Sequence, residues 1–161
     1  MKTESGAVNF VKSELFARTF SEGMTLVEET ANYLDGDGRI TSKALPRDAA
    51  LGYAASSMRL TTQLMQIASW LLVMRALREG EMSITEACDE KYRVRSKIEP
   101  VSESLNADAP QELSALISRA LALHQRIARL DLELFNGEQV QAPTLDAHAQ
   151  QEALLQAFGQ N

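Results

Sequence analysis

The fold of this chain is decided by one stretch, residues 48–79, which reads DAALGYAASSMRLTTQLMQIASWLLVMRALRE. Pro46 precedes the stretch, and a proline at a helix start costs little because its missing N–H would have no partner there. Gly80 follows it and favours backbone angles that end a helix. Apolar residues recur between these two points at helical spacing. The sequence therefore predicts one long central helix from about residue 48 to residue 79.

Apolar residues occupy two arcs of this central helix. One arc contains Leu51, Ala55, Met58, Met65 and Leu72, and the other contains Leu60, Leu64, Ile67, Leu71 and Met74. A helix that is apolar on two sides has to be covered on two sides. We therefore expect neighbouring elements against both arcs.

A long amphipathic helix is predicted on each side of the central one. The first runs from about Ser13 to Leu34 and is expected to end at the glycines of Asp35–Gly38. The other begins near Asp108 and Pro110 and ends at Asn136. No strand pattern longer than a few residues occurs in the sequence. The fold class is therefore predicted to be all-α.

Shorter features complete the predicted organisation. Ser83 and Glu86 have the capping-box spacing, which predicts a short extra helix reaching about Arg93. Residues 96–110 contain prolines and serines without periodicity and predict a long loop. A length of 161 residues suits one core. We expect a helical bundle domain at residues 1–136 and a variable C-terminal tail at residues 137–161.

Charge and cysteine content limit the classes of function. The net charge of −6 disfavours general attraction to nucleic acid or an anionic membrane, because both are polyanions. The most apolar run, Ile67–Met74, is far shorter than the roughly 20 residues of a membrane span. Cys88 is the one cysteine, and no basic-then-apolar leader opens the sequence. We expect a cytoplasmic protein.

The sequence contains no pattern that indicates catalysis or a cofactor. No G-x-S-x-G, Walker or dinucleotide-binding motif occurs. The segment Asp35–Ile40 imitates part of a calcium loop, but the terminal carboxylate positions of that loop fall on Tyr33 and Ala44. Neither His124 nor His148 has a glutamate three residues before it, as a di-iron bundle requires. We predict a non-enzymatic protein with no metal and no cofactor.

One polar stripe of the central helix is a candidate for partner binding. It consists of Arg59, Gln63, Gln66 and Trp70, which lie within about 60° of one another at about 100° per residue. Tryptophan and arginine are enriched in the residues that dominate the energy of protein contacts. The stripe therefore predicts a partner or dimer contact. The alternative is that another helix or the tail covers it.

A basic run forms a second candidate contact. Lys91, Arg93, Arg95 and Lys97 surround Tyr92 in an otherwise acidic chain. The run is either a solvated surface or a contact for phosphate or an acidic partner. One alternative function is that of a nucleic-acid-binding or transcriptional regulator that uses this run as its contact. A helical bundle that encloses a small ligand is the second alternative.

Several segments together resemble a known family. They are Tyr33-Leu34-Asp35-Gly36, Leu45-Pro46-Arg47, Tyr53-Ala54, residues 57–72, Glu79-Gly80-Glu81-Met82, Leu123-His124 and residues 126–131. With these segments the chain resembles the alphaproteobacterial RcdA family, regulators of CtrA degradation. The resemblance extends to about Asn136 and does not include the tail.

The resemblance implies a fold and a function beyond what the patterns indicate. It implies a three-helix bundle that forms a homodimer and acts as an adaptor in ClpXP proteolysis, delivering CtrA and other substrates. It also implies association with the response-regulator-like adaptor CpdR and with PopA, and concentration at the cell pole. The family has no catalytic residues to transfer. The substrate and the dimer interface stay open at this point.

Overall fold

The computed structural model describes residues 2–94 and 109–136. The helices are α1 (Lys2–Val11), α2 (Glu14–Asp35), α3 (Asp37–Lys43), α4 (Arg47–Glu79), α5 (Ile84–Ala87) and α6 (Gln111–Asp131), with a 3-10 turn at Glu90–Tyr92 and a π-helical turn at Leu132–Asn136. Every regular element in these two ranges is helical, which confirms the predicted all-α class. None of these helices has the length and apolarity needed to cross a bilayer.

The central helix α4 has the predicted bounds. It starts at Arg47, directly after Pro46, and it ends at Glu79. Gly80 adopts the left-handed conformation, with φ of 76°, and its N–H donates to the carbonyl oxygens of the last helical turn. A residue with a Cβ atom would be strained in that conformation, so glycine suits the C-terminus of α4.

The core lies where α4 packs against α2 and α6. Ile67, Leu71 and Met74 of α4 are completely buried. They share one hydrophobic cluster with Leu26 of α2 and Ile127 of α6. These contacts confirm that the arc from Leu60 to Met74 faces neighbouring helices. The three long helices therefore form the bundle, and the shorter elements pack around it.

The other arc of α4 is largely uncovered in the described part of the chain. Leu51, Met58, Met65 and Leu72 are 63%, 71%, 68% and 52% exposed. The expectation of neighbours against both arcs is therefore not met among the described residues. Only two long helices pack against α4 there, and both lie on the side of the other arc.

The structure contains two helices that the sequence did not predict, α1 before α2 and α3 after it. α1 packs on α2 and α4, and its residues Ala7 and Val11 are each 1% exposed. α3 begins at Asp37, so the first glycine, Gly36, ends α2 but Gly38 does not end the helical conformation. A Cβ atom on Gly38 would lie 2.6 Å from the Tyr53 hydroxyl, so this glycine permits close packing of α3.

The C-terminal half agrees with the predictions in part. Ser83 and Glu86 form the predicted capping box, but α5 ends at Ala87, and a 3-10 turn, not a continuing helix, leads to Arg93. α6 and the π-helical turn together reach Asn136, as predicted. Residues 95–108, most of the predicted loop, and the tail at residues 137–161 lie outside the described residues.

Candidate functional site

The predicted stripe on α4 differs in exposure from end to end. Arg59 and Gln66 are exposed, Gln63 is half-buried, and Trp70 is only 1% exposed. The four residues lie along one flank of the helix, as their spacing requires. The Arg59 end is thus available to a partner, whereas the Trp70 end lies inside the fold.

Trp70 is enclosed by elements of its own chain. Its Nε1–H donates a hydrogen bond to Asp131 Oδ1 at 2.9 Å. The ring of Phe10, from α1, lies 6.3 Å from the indole ring, centroid to centroid. A buried indole requires a partner for its N–H, and Asp131 supplies it. The structure therefore places Trp70 in the core, where α1, α4 and α6 meet.

Gln66 connects the stripe to α6. Its Oε1 lies 3.3 Å from Nε2 of His124, and His124 is 2% exposed. Burial lowers the pKa of His124 below its ordinary value, because the protonated ring would lose its hydration. The neutral imidazole is therefore favoured in the fold, with Nε2–H donating to the amide oxygen of Gln66.

Asp131 is the centre of a buried polar cluster. Arg93 Nη1 lies 2.9 Å from Asp131 Oδ1, and the backbone N–H of Val94 donates to Asp131 Oδ2 at 3.3 Å. Arg93 also donates to the carbonyl oxygen of Ala87, and its guanidinium stacks 3.7 Å from the centroid of the Phe135 ring. The cluster holds the segment after α5 against the end of α6.

Burial and pairing shift the pKa values of Asp131 and Arg93 in opposite directions. Desolvation raises the pKa of Asp131, whereas the Trp70 hydrogen bond, Arg93 and the Val94 N–H each lower it. Desolvation likewise lowers the pKa of Arg93, and Asp131 raises it. Desolvation is the larger effect on both groups, so the pKa of Asp131 is raised and the pKa of Arg93 is lowered, and the pairing reduces each shift only in part.

The predicted basic run does not form one cationic surface in the described residues. Arg93 is enclosed by the Asp131 cluster, with its side chain 11% exposed. Lys91 is exposed, and its Nζ lies 4.9 Å from the centroid of the Tyr92 ring. Arg95 and Lys97 lie outside the described residues. The structure therefore gives Arg93 a structural role and leaves Lys91 at the surface.

A surface groove lies between α2 and the end of α4. Its volume is about 520 Å³, and it is lined by Phe16, Ala17, Phe20, Arg75, Arg78 and Glu79. The guanidinium of Arg75 lies 5.7 Å from the centroid of the Phe20 ring and pairs with Glu79 at 3.1 Å. The groove is at the surface, not in the bundle interior where a ligand-enclosing bundle would bind its ligand. Within residues 2–94 and 109–136, no group of three potential metal ligands occurs.

Sequence reasoning did not identify Asp131 as a special residue. The signal was present, because Asp131 follows Ile127 by four residues on the face that carries Leu113, Leu116, Ala120 and Leu123. A carboxylate at a core position of an amphipathic helix indicates a buried partner. The identity of that partner depends on contacts 37 and 61 residues away, which no local pattern predicts.

Comparison with known proteins adds two findings. A family described as "Protein of unknown function (DUF1465)" matches residues 7–158. The crystal structure of RcdA from Caulobacter crescentus CB15 is similar, with 54% sequence identity and a TM-score of 0.65. The match covers 76% of this chain and 92% of that chain. No curated protein matches. The RcdA resemblance predicted from the sequence is therefore confirmed.

Proposed function

This chain belongs to the DUF1465 family, and from its relation to RcdA we propose that it is a non-catalytic regulator of CtrA degradation. The observation that carries this proposal is the 54% identity to RcdA over 92% of the RcdA chain. Identity at that level over nearly a whole chain supports a shared role, whereas fold alone would not.

The proposed mechanism is that of an adaptor. The chain binds a substrate such as CtrA together with components of the ClpXP pathway, including CpdR-like and PopA-like adaptors, and so raises the local concentration of substrate at the protease. It acts as a homodimer in the cytoplasm and collects at the cell pole. Binding alone performs this function, so no residue has to make or break a bond.

We assign the partner contact to the accessible end of the stripe, at Arg59 and Gln63. Arg59 is exposed and Gln63 is half-buried, so a partner can reach both side chains without unfolding the bundle. Gln66 is exposed but interacts with His124, and it belongs to the rim of the same surface. Trp70 supports this surface from beneath by fixing α4 against α6.

The proposal is tested by complementation. Cells that lack their own RcdA-family protein are given this chain, and the half-life of CtrA is measured in synchronised culture. We expect the timed loss of CtrA to return. Persistent CtrA in cells that contain normal amounts of the folded chain would overturn the proposal.

The contact residues are tested separately by capture experiments with purified ClpX, CpdR-like protein and CtrA. We expect Arg59→Ala with Gln63→Ala to weaken capture of at least one component at unchanged melting temperature. Arg18→Ala is the matched control, because Arg18 is also an exposed helix arginine and pairs with Glu14 on its own helix. Equal capture by the double variant and the control would reject these contact residues, while complementation would still decide the function.

A further inference from the structure

We propose that the groove between α2 and the end of α4 is a docking site for a segment of this same chain, residues 145–158, which closes the groove to other acidic segments. In this arrangement Leu154 and Phe158 enter the groove, and Glu152 pairs with Arg78. The inference goes beyond the proposed function, because it concerns contacts within one chain that control access to a surface.

The groove combines aromatic side chains with arginines. Phe16, which is buried, and Phe20, which is half-buried, line it from α2. Arg75 and Arg78, which are both exposed, line it from the last turns of α4. Its volume of about 520 Å³ is large enough for a few side chains. Such a lining suits an apolar side chain that lies next to a carboxylate.

Arg78 is the cation of the groove that is available to a new partner. Arg75 already pairs with Glu79 at 3.1 Å. Within residues 2–94 and 109–136, no carboxylate lies at ion-pair distance from Arg78. The groove has two arginines against one glutamate, whereas the whole chain has a net charge of −6. An acidic segment is therefore favoured at this place on an otherwise acidic protein.

The C-terminal residues 137–161 have the complementary chemistry. They contain three acidic residues and neither lysine nor arginine. Leu154 and Phe158 are four residues apart, a spacing that places two side chains on one side of a helical turn. Glu152 comes directly before this apolar pair in the sequence, separated from it by Ala153. Residues 152–158 thus supply two apolar anchors and one carboxylate.

The described part of the chain ends close to the groove. The turn that ends at Asn136 packs on α1. Phe10 of α1 contacts Phe16 of the groove, with the ring centroids 5.7 Å apart. The stretch from Asn136 to Leu154 spans up to about 60 Å when extended, at about 3.3 Å per residue. The anchors can therefore reach the groove of their own chain.

The covalent connection favours this segment over a free one. A segment joined to its site by a short linker has an effective concentration in the millimolar range. Weak contacts, such as two apolar side chains and one exposed ion pair, are then sufficient for docking. A free acidic segment of the same chemistry has to compete with the tethered one, so the docked segment closes the groove.

Thiol crosslinking tests the position of the segment in the full chain with Cys88→Ser. We expect Ala17→Cys with Ala157→Cys to be joined within one chain by a short bismaleimide, because Ala17 lines the groove. The control is Ala44→Cys with Ala157→Cys. Ala44 is exposed just before α4, whose first residue is about 45 Å along the helix from Arg78. Equal yields from the two pairs, or no crosslink in either, would overturn the docking.

A mixture of isotope-labelled and unlabelled chains shows which chain supplies the segment. We expect crosslinked peptides in which both parts are labelled or both are unlabelled. Mixed peptides in the proportion of random pairing would show that the segment docks on a second copy, and would overturn the assignment to the same chain.

Charge reversal tests the pairing of Arg78 with Glu152. We expect Arg78→Glu to lower the crosslink yield about fivefold and Glu152→Arg in the same chain to restore it. Arg39→Glu is the matched control, because Arg39 is an exposed arginine of α3, outside the groove. Circular dichroism checks that the helices of each variant are intact. An Arg78→Glu chain that crosslinks as well as the control would overturn the pairing.

A fluorescent peptide with the sequence of residues 145–158 tests whether the segment closes the groove. We expect the peptide to bind the Phe158→Ala chain about tenfold more tightly than the wild-type chain, because loss of an apolar anchor frees the groove. Equal binding to both chains would overturn the closure. The complementation experiment reads out the proposed function independently, so a failure of either proposal can be assigned.

Discussion

The indole Nε1–H of Trp70 donates to the carboxylate of Asp131 across the interior of the bundle, at 2.9 Å. Trp70 lies on α4 and Asp131 on the last turn of α6, and both are at most 3% exposed. The bond joins the central helix to the cluster that holds Arg93 and the segment after α5. Trp70, which the sequence suggested for a partner contact, therefore stabilises the fold.

Substitution of Trp70 should affect stability before it affects binding. Trp70→Phe keeps an aromatic ring but leaves Asp131 without one donor, and we expect a loss of about 1–3 kcal/mol in the free energy of unfolding. Trp70→Ala should cost about 3–5 kcal/mol because it also leaves a cavity. Urea unfolding followed by circular dichroism measures both. Unchanged stability in Trp70→Ala would contradict the buried position.

The Arg93–Asp131 pair should be far more sensitive to single than to double substitution. Arg93→Met leaves the Asp131 carboxylate buried without its cation, and we expect a loss of about 3–5 kcal/mol. Asp131→Asn likewise leaves the Arg93 guanidinium without its anion. The variant with both changes should be less destabilised than the sum of the single variants. Strict additivity in a double-mutant cycle would show that the two side chains do not interact.

Substitution of Gly38 in α3 by a residue with a side chain should destabilise the fold. The Cβ atom of Gly38→Ala would lie 2.6 Å from the Tyr53 hydroxyl and 2.7 Å from the Tyr33 carbonyl oxygen, so we expect a loss of about 1–3 kcal/mol. Gly6→Ala is the control, because a Cβ atom on Gly6 of α1 would meet nothing within 4 Å. The control should be neutral or slightly stabilising. Thermal unfolding of the two variants measures the difference.

The stability of the fold should depend on pH through His124. Burial lowers its pKa in the folded state below the ordinary value of 6.5, so between these two pKa values the unfolded chain binds more protons. The contribution of His124 is therefore fully present above about pH 6.5 and is lost as the pH falls toward the folded-state pKa. His124→Gln should reduce the slope of unfolding free energy against pH in the range just below about pH 6.5. Identical slopes for the variant and the wild type would contradict this prediction.

Local signals in the sequence were sufficient to predict where the long helix α4 begins and ends. Pro46 and Gly80 set the ends of α4 through backbone chemistry that depends on the residues themselves. Ser83 and Glu86 formed their capping box for the same reason. Gly38 shows the limit of such signals, because glycine serves both as a helix terminator and as a site of close packing. Only the presence of Tyr53 beside it decided between the two.

The sequence by itself determined the all-α class, the bounds of α4, the presence of two apolar arcs on it and the resemblance to RcdA. The helical features depend on residue type and on spacing within a helix, and the resemblance depends on segments spread along the chain. The tertiary structure alone decided that Trp70 is buried, that Asp131 is its partner, and that the arc from Leu51 to Leu72 is exposed. These features depend on which elements pack on each side of α4, and periodicity identifies an apolar face without identifying what covers it.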